Sequence, residues 1–194
     1  DIGTAMLADT PEKFDVIVTP NLYGDIISDV AAQITGSVGI AGSANIGEQC
    51  AMFEAIHGSA PKIAGLNKAN PSGLLLAAVQ MLIHIDQPEV AEKIHNAWLA
   101  TLEEGLHTAD IYHADISKRE LGTKEFTEEV IRHLGKKPVH LKAVIYANAR
   151  KPIEIKVKDK PKAQKATVGV DIFLHWKEGS PNALGKAIEE INSD

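Results

Sequence analysis

Residues 74–85, LLLAAVQMLIHI, are apolar on nearly every side of the helix that they would form. Asn70 and Pro71 precede them in the pattern of an N-cap and a first helical residue, so we predict that a helix begins here. The apolar run is shorter than the ~20 residues that a membrane span needs. The helix therefore has to be buried by the rest of the chain, and a second predicted helix, over about 89–106, is expected to pack against it.

Residues 14–19, FDVIVT, form a short Val/Ile run of the kind that is buried in a parallel sheet. After Pro20 the apolar residues follow helical spacing, and residues 35–48 carry several Gly and Ser residues that favour a loop. A further helix is predicted with Thr123 as its cap and Gly135 as its stop. A strand that alternates with helices predicts an α/β fold.

The composition changes at Lys136, so we predict one domain over 1–136 and a small accessory α/β module over 137–194. The module is expected to contain strands at 139–147 and 167–176 and a helix that opens at Ser180 and Pro181. Because the chain begins in the middle of an apparent helix without Met, we expect it to be part of a longer polypeptide. We also expect the module to be incomplete at its end, since the chain stops after one helix of it.

The formal net charge of -6 argues against a nucleic-acid partner, because phosphate neutralisation needs a clustered basic surface. The single cysteine, Cys50, rules out an intramolecular disulfide and favours a reducing compartment. No charged-then-apolar leader opens the chain. These features predict a cytoplasmic protein with no nucleic-acid and no membrane partner.

Asp25 and Asp29 lie four residues apart on the predicted helix after Pro20. Like charges at this spacing are neighbours and destabilise a helix unless a cation binds between them. Magnesium and manganese take oxygen ligands, usually one or two carboxylates together with water and substrate oxygens. The alternative is that an aspartate near a helix start only caps the helix or complements its dipole.

Residues 53–71, FEAIHGSAPKIAGLNKANP, form a second candidate site. Small residues after His57 allow a backbone to approach a ligand closely, and Lys62 offers a cation for a nucleotide phosphate. Neither a GxGxxG nor a GxxxxGK[ST] motif is present, so the Rossmann and P-loop patterns do not apply. An ordinary surface loop that contains one histidine is the alternative.

NLYGDIISD at 21–29, followed by HGSAPKIAG at 57–65 and NKANP at 67–71, resembles the signature and adenine-binding segments of the isocitrate and isopropylmalate dehydrogenase family. The resemblance runs from Asp1 to about Gly135. It implies that Asp25 and Asp29 bind Mg²⁺ or Mn²⁺ together with a small-molecule substrate. Asp1 is similar to a third metal ligand that family members contribute to the partner subunit's site, which implies a homodimer with a shared active site.

The same resemblance implies a nicotinamide cofactor. Lys62 stands where NAD-dependent members have an aspartate, which favours NADP by charge. Ile63 resembles the NAD-type neighbour, and Ala109 and His113 stand where NADP-dependent members often have a tyrosine and an arginine, so NAD stays a second possibility. The expected cofactor-binding residues are Glu54, His57, Gly58, Ser59, Ala60, Pro61, Lys62, Ile63, Asn70, Asp110 and His113.

The tail after Lys136 resembles the C-terminal extension of certain bacterial isocitrate dehydrogenases, those of Thermus type among them. The resemblance therefore implies oxidative decarboxylation of isocitrate to 2-oxoglutarate. The family's proton-transfer and substrate-binding side chains have no counterpart here, so we expect no catalytic residue in this chain and no turnover by it alone. The alternatives are a 3-isopropylmalate or homoisocitrate dehydrogenase, or a non-catalytic regulatory subunit of the same fold.

Overall fold

The computed structural model describes residues 1–146, 164, 166–177 and 179–191. The chain divides into two compact units, residues 1–157 and 158–194. The helices of the first unit are α1 (Ile2–Asp9), α2 (Asn21–Ile34), α3 (Ser72–His84), α4 (Pro88–Glu103) and α5 (Thr123–Arg132). The second unit contributes α6 (Pro181–Glu189).

Two small sheets accompany the helices of the first unit. Strands β1 (Gly42–Ile46) and β2 (Ala51–Ala55) form an antiparallel pair, whereas β3 (Leu106–Thr108) and β4 (Arg119–Leu121) run parallel. Short 3₁₀ turns lie at Pro11–Lys13 and Val38–Ile40. The mixture of helices and sheets confirms the predicted α/β class.

The core lies between α3, α4 and α5. Its buried cluster consists of Ala97, Trp98, Leu121, Phe126 and Val130, and leucines from α3 and α4 pack against it. Phe126 is 1% exposed and projects from α5 into this cluster. The three helices that apolar spacing predicts in this region are therefore confirmed. In α5 the N-cap position is occupied by Gly122 rather than by the predicted Thr123.

Two predictions for the first half of the chain are wrong within the part that the structure describes. Residues 14–19 form no strand, and Val16 and Val18 are 80% and 93% exposed. A parallel strand needs a hydrogen-bonded neighbour, and no described strand lies beside this segment. Residues 35–48, predicted as a loop, contain a 3₁₀ turn and all of β1.

Residues 137–146 contact α4 without forming the strand predicted at 139–147, whose last residue lies outside the described part. The Glu103 carboxylate accepts the backbone N–H groups of 139–141 at 2.7–3.1 Å. Asn96 pairs with both the N–H and the C=O of Val144, at 2.9 and 3.0 Å. Because α4 side chains satisfy this backbone, the segment, hereafter the strap, needs no neighbouring strand.

In the second unit, the described residues 166–177 form no strand, in contrast to the prediction for 167–176. Val168 is 99% exposed there, so the alternating apolar face has no described partner to cover it. The predicted helix is confirmed as α6, whose N-cap Ser180 accepts the Ala183 N–H. Among the helices that the structure describes, none is long and apolar enough to cross a membrane. The domain boundary after Lys136 stays a prediction.

Candidate functional site

A cavity of about 830 Å³ opens on the first unit beside residues 57–70. Its volume falls in the range of small-molecule and cofactor sites. The lining residues are Ser37, Gly39, His57, Gly58, Ser59, Ala60, Ile63, Ala64, Gly65, Asn67, Lys68, Ala69, Asn70, Asp110 and Thr123. Four separate segments of the chain thus contribute to one concave surface.

Asp110 is held at this surface by two side chains. Thr108 Oγ1 at the end of β3 donates to Asp110 Oδ1 at 2.6 Å, and Asn70 Nδ2 donates to Asp110 Oδ2 at 3.0 Å. A Cβ at Gly39 would lie 2.9 Å from Asp110 Oδ2, so the close approach of the 3₁₀ turn requires glycine. The carboxylate is consequently fixed in place before any ligand binds.

The same asparagine connects the cavity to the core. Asn70 Oδ1 accepts the Ser72 N–H at 3.0 Å, which gives α3 a side-chain cap from two residues upstream. Ser72 is fully buried, and its Oγ accepts a hydrogen bond from Trp98 Nε1 at 2.8 Å. The start of α3 is therefore tied to α4, and the cavity wall rests on the packed helices.

Residues 57–65 form the more open wall of the cavity. His57 Nδ1 lies 2.9 Å from the Gly58 carbonyl oxygen, and both residues are exposed. Ala60 has a φ of 42°, in the left-handed region that residues with a Cβ seldom adopt. Such conformations are concentrated where a loop is shaped for a ligand.

The structure brings together most of the predicted cofactor residues. His57, Gly58, Ser59, Ala60, Ile63, Asn70 and Asp110 line the cavity, whereas Glu54, Pro61, Lys62 and His113 do not. Glu54 lies on β2, where its Oε1 accepts a hydrogen bond from Asn45 at 2.9 Å. The backbone N–H of His113 donates to Ser117 Oγ at 2.8 Å.

Sequence reasoning missed the lining residues Ser37, Gly39, Ala64, Gly65, Asn67, Lys68, Ala69 and Thr123. Asn67, Lys68 and Ala69 belong to the NKANP motif, so the motif itself could have predicted that they line the cavity. Ser37 and Gly39 come from the segment predicted as a loop, and only the folded chain brings them beside Asp110. Lys68 is the lysine that reaches the cavity lining, in contrast to the expected Lys62.

The carboxyl group of Glu125 lies at the start of α5, next to the lining residue Thr123. Its pKa is lowered, chiefly because Asn67 Nδ2 donates a hydrogen bond to Oε2 at 2.8 Å. Its own backbone N–H and the nearby Lys124 lower the pKa further. The carboxylate is therefore the form that this contact stabilises.

Asp25 and Asp29 lie one turn apart on α2, and both are exposed. Neither carboxylate has a hydrogen-bond or ion-pair partner among the described residues. Oxygen donors of this kind fit a hard divalent cation. In the described part of the chain, no group of three or more His, Cys, Asp or Glu residues is placed to hold a metal.

Asp1, the third expected ligand, lies at the start of α1. Its Oδ1 accepts the backbone N–H of Ile2 and so caps this helix. α1 packs against α2, the helix that carries the acidic pair. The role expected for Asp1 in a partner subunit's site stays a prediction.

The sequence of this chain matches a known protein family. The model of the isocitrate/isopropylmalate dehydrogenase family matches residues 1–130. The chain belongs to this family, which confirms the resemblance carried by the 21–29 and 57–71 segments.

Three individual relatives show which members of this family the chain is similar to. The chain is 56% identical over 194 residues to the isocitrate dehydrogenase (NADP) of Rickettsia bellii, covering 99% of this chain and 40% of that protein. It is 42% identical over 193 residues to the isocitrate dehydrogenase (NADP) of Thermus thermophilus, covering 98% of this chain and 38% of that protein. The 3-isopropylmalate dehydrogenase of Methanothermobacter thermautotrophicus is 49% identical over 133 residues, covering 68% of this chain and 39% of that protein.

A solved structure agrees with these relatives. The structure of the TT0538 protein of Thermus thermophilus is similar to that of this chain, with a TM-score of 0.71 and 37% sequence identity. The match covers 98% of this chain and 38% of the TT0538 chain. The chain thus spans about two fifths of the length of the proteins it matches.

Proposed function

We propose that a full-length protein containing this chain catalyses the NADP-dependent oxidative decarboxylation of isocitrate to 2-oxoglutarate, with Mg²⁺ or Mn²⁺. The observation that carries the proposal is the extent of the similarity. Relatives named isocitrate dehydrogenase (NADP) align over 98–99% of the chain, and therefore over most of residues 137–194. The 3-isopropylmalate dehydrogenase aligns over about two thirds of it. The tail therefore favours isocitrate as the substrate.

In this proposal the cavity beside residues 57–70 binds the adenosine part of the cofactor. Asp110 is fixed by Thr108 and Asn70, and it would accept hydrogen bonds from hydroxyl or amino groups. Lys68 lines the cavity and Lys62 lies exposed nearby in sequence, so two cations are available for the phosphates of NADP. A cationic wall supports NADP more than NAD, because the former carries an additional phosphate.

Asp25 and Asp29 would hold the divalent cation from one face of α2. A bound cation would supply electrophilic polarisation of a substrate oxygen. The two carboxylates would fix the position of the cation, and binding of the cation would relieve their mutual repulsion across one helical turn. The proposal includes a homodimer with a shared site, to which the partner's Asp1 contributes, because the resemblance of the 21–29 segment implies this arrangement.

The test is the rate of nicotinamide reduction by the full-length protein with isocitrate, NADP and Mg²⁺. We expect turnover that EDTA abolishes and that added Mg²⁺ restores, with a lower kcat/KM when NAD replaces NADP. Turnover of 3-isopropylmalate or homoisocitrate in place of isocitrate would overturn the substrate assignment. Binding of isocitrate without turnover of any of the three acids would instead favour a regulatory subunit.

A further inference from the structure

The N-terminus of α5 is capped by a residue that is distant in sequence. The N-cap position is Gly122, which has no side chain to accept the free N–H groups of the first turn. Asn67 replaces it: its Oδ1 accepts the Lys124 N–H at 2.9 Å, and its carbonyl oxygen accepts the Thr123 N–H at 3.1 Å. Two of the unpaired donors of α5 are thereby satisfied from the wall of the cavity.

The contact is reciprocal. Asn67 Nδ2 donates to Glu125 Oε2 at 2.8 Å, in the same first turn of α5. Thr123 Oγ1 donates to the carbonyl oxygen of Ala69. Residues on both sides of Lys68 are therefore bonded to one rigid helix, and we call this set of contacts the loop anchor.

The geometry of the loop anchor tolerates little change. A Cβ at Gly122 would lie 2.3 Å from Asn67 Nδ2 and 2.6 Å from the Asn67 carbonyl oxygen, so only glycine permits this approach. Asn67 itself has a φ of 56°, a left-handed conformation that asparagine and aspartate adopt more readily than other residues with a Cβ.

The N-terminus of α5 is not itself a binding site for a phosphate, because its N–H donors are occupied and its first turn carries a negative charge. A helix N-terminus with free N–H groups attracts anions, but here Asn67 already occupies the Thr123 and Lys124 donors. The Glu125 carboxylate adds a negative charge at the same place. The start of α5 is therefore a support for the loop rather than a phosphate site.

We propose that Asn67 is a positioning residue for cofactor binding, because its bonds to α5 hold Lys68 at the cavity wall, where the Lys68 ammonium group meets a phosphate of the dinucleotide. This inference rests on the proposed function. It assigns the anchored Lys68, in addition to the expected Lys62, to the recognition of NADP. A lysine between two fixed backbone points loses less conformational freedom on binding than one on a free loop.

The test uses the full-length protein and exchanges the two partners of the amide–carboxylate bond. Asn67→Asp sets two carboxylates against each other, which should weaken the loop anchor and raise the KM for NADP about tenfold with kcat changed less than about twofold. The double variant Asn67→Asp with Glu125→Gln restores a donor and an acceptor and the original net charge. We expect it to return the KM to within about threefold of the wild type.

A matched control and a third background identify the residue through which Asn67 acts. Glu128→Gln makes the same chemical change as Glu125→Gln on the exposed part of α5, and it should leave the KM unchanged. Lys68→Gln should itself raise the KM for NADP, and Asn67→Asp should add less than about twofold in that background.

Melting temperatures of all variants show whether each is folded. If Asn67→Asp does not fold, Glu125→Ala removes the acceptor alone and should raise the KM about threefold.

The outcomes separate this inference from the function on which it rests. A wild type without NADP-dependent turnover would overturn both. Wild-type turnover together with an unchanged KM in folded Asn67→Asp would overturn the positioning role alone. Failure of the partner exchange to restore the KM would overturn the positioning role, because it would mean that Asn67 touches the cofactor directly or that the introduced carboxylate repels the cofactor. Full additivity with Lys68→Gln would exclude Lys68 as the group that Asn67 positions.

Discussion

The cavity and the acidic pair of α2 differ in how completely this chain builds them. Asp110 has two side-chain donors, and the loop beside it is bonded to α5 and tied through Asn70 to α3. Asp25 and Asp29 are exposed and have no partner in the described part of the chain. The fold therefore preorganises the cavity, whereas the acidic pair supplies only part of a ligand set that other groups have to complete.

The largest effect is expected at the acidic pair. Asp29→Asn in the full-length protein should lower kcat about a thousandfold, which corresponds to about 4 kcal/mol, because the substitution removes one of two carboxylates proposed to hold the cation. Stability should stay the same or rise, since one of two neighbouring like charges is lost. The measurements are initial rates with isocitrate, NADP and Mg²⁺, and the melting temperature.

The control for this substitution is Asp15→Asn, which removes an exposed carboxylate outside the pair. It should leave both readouts unchanged. If Asp29→Asn kept wild-type turnover, or if it unfolded the protein, the pair would be a structural feature, and the contrast with the cavity would disappear.

The next largest effect is expected on the stability of the buried core next to α5. Phe126 is 1% exposed in the buried cluster between α3, α4 and α5, so Phe126→Ala should destabilise the first unit by about 3–5 kcal/mol. Denaturant unfolding of this chain provides the measurement. Ile131→Ala, on the same helix but 59% exposed, should change the free energy of unfolding by less than about 0.5 kcal/mol. Equal effects of the two variants would show that the cluster is not the stabilising core.

A smaller effect is expected where the core meets the cavity. Trp98→Phe removes the Nε1 donor and leaves the buried Ser72 hydroxyl without it, at a cost of about 1–3 kcal/mol in the free energy of unfolding. Because Ser72 adjoins the Asn70 cap, the full-length variant should also bind NADP about threefold less tightly. Trp176→Phe, in the second unit, is the matched control. A loss of stability with unchanged NADP binding would show that the Trp98–Ser72 hydrogen bond stabilises the core but does not affect the cavity.

The helices around the cavity were predictable because their signals are local. The apolar run of 74–85 and the Asn70 and Pro71 pair placed α3 within two residues of its observed start. The segment 57–71 likewise carried most of the lining residues in one motif. Local spacing and short motifs report on contacts within a few residues of each other, which is why they succeeded here.

The failures depend on contacts that no local pattern contains. The Val/Ile run at 14–19 needs neighbouring strands, and none of the described strands supplies one. Residues 139–146 alternate as a strand would, yet their backbone bonds to side chains of α4. Asn67 caps a helix that begins more than 50 residues later. Each of these outcomes is decided by tertiary partners, which override intrinsic propensity.

The smallest effect is expected at the strap, which resembles the cavity in being fixed by a charged side chain. The pKa of Glu103 is lowered from its ordinary 4.5, first by the Leu141 N–H and then by those of Val139 and His140. A lowered pKa in the folded state means that the carboxylate supports the strap above about pH 4.5 and that this support is lost as the pH falls through the lowered value. Amide exchange of residues 139–141, corrected for its intrinsic pH dependence, is the measurement.

We expect protection of these amides to be constant from pH 8 to about pH 5 and to fall below that range. Glu103→Gln should show weaker protection with no such fall, because a neutral amide accepts less strongly and does not titrate there. Glu89→Gln, near the start of the same helix, should behave as the wild type. If the wild type kept its protection well below the lowered pKa, Asn96 and its bonds to Val144 would be sufficient to hold the strap, and the charged contact would be secondary to a neutral one.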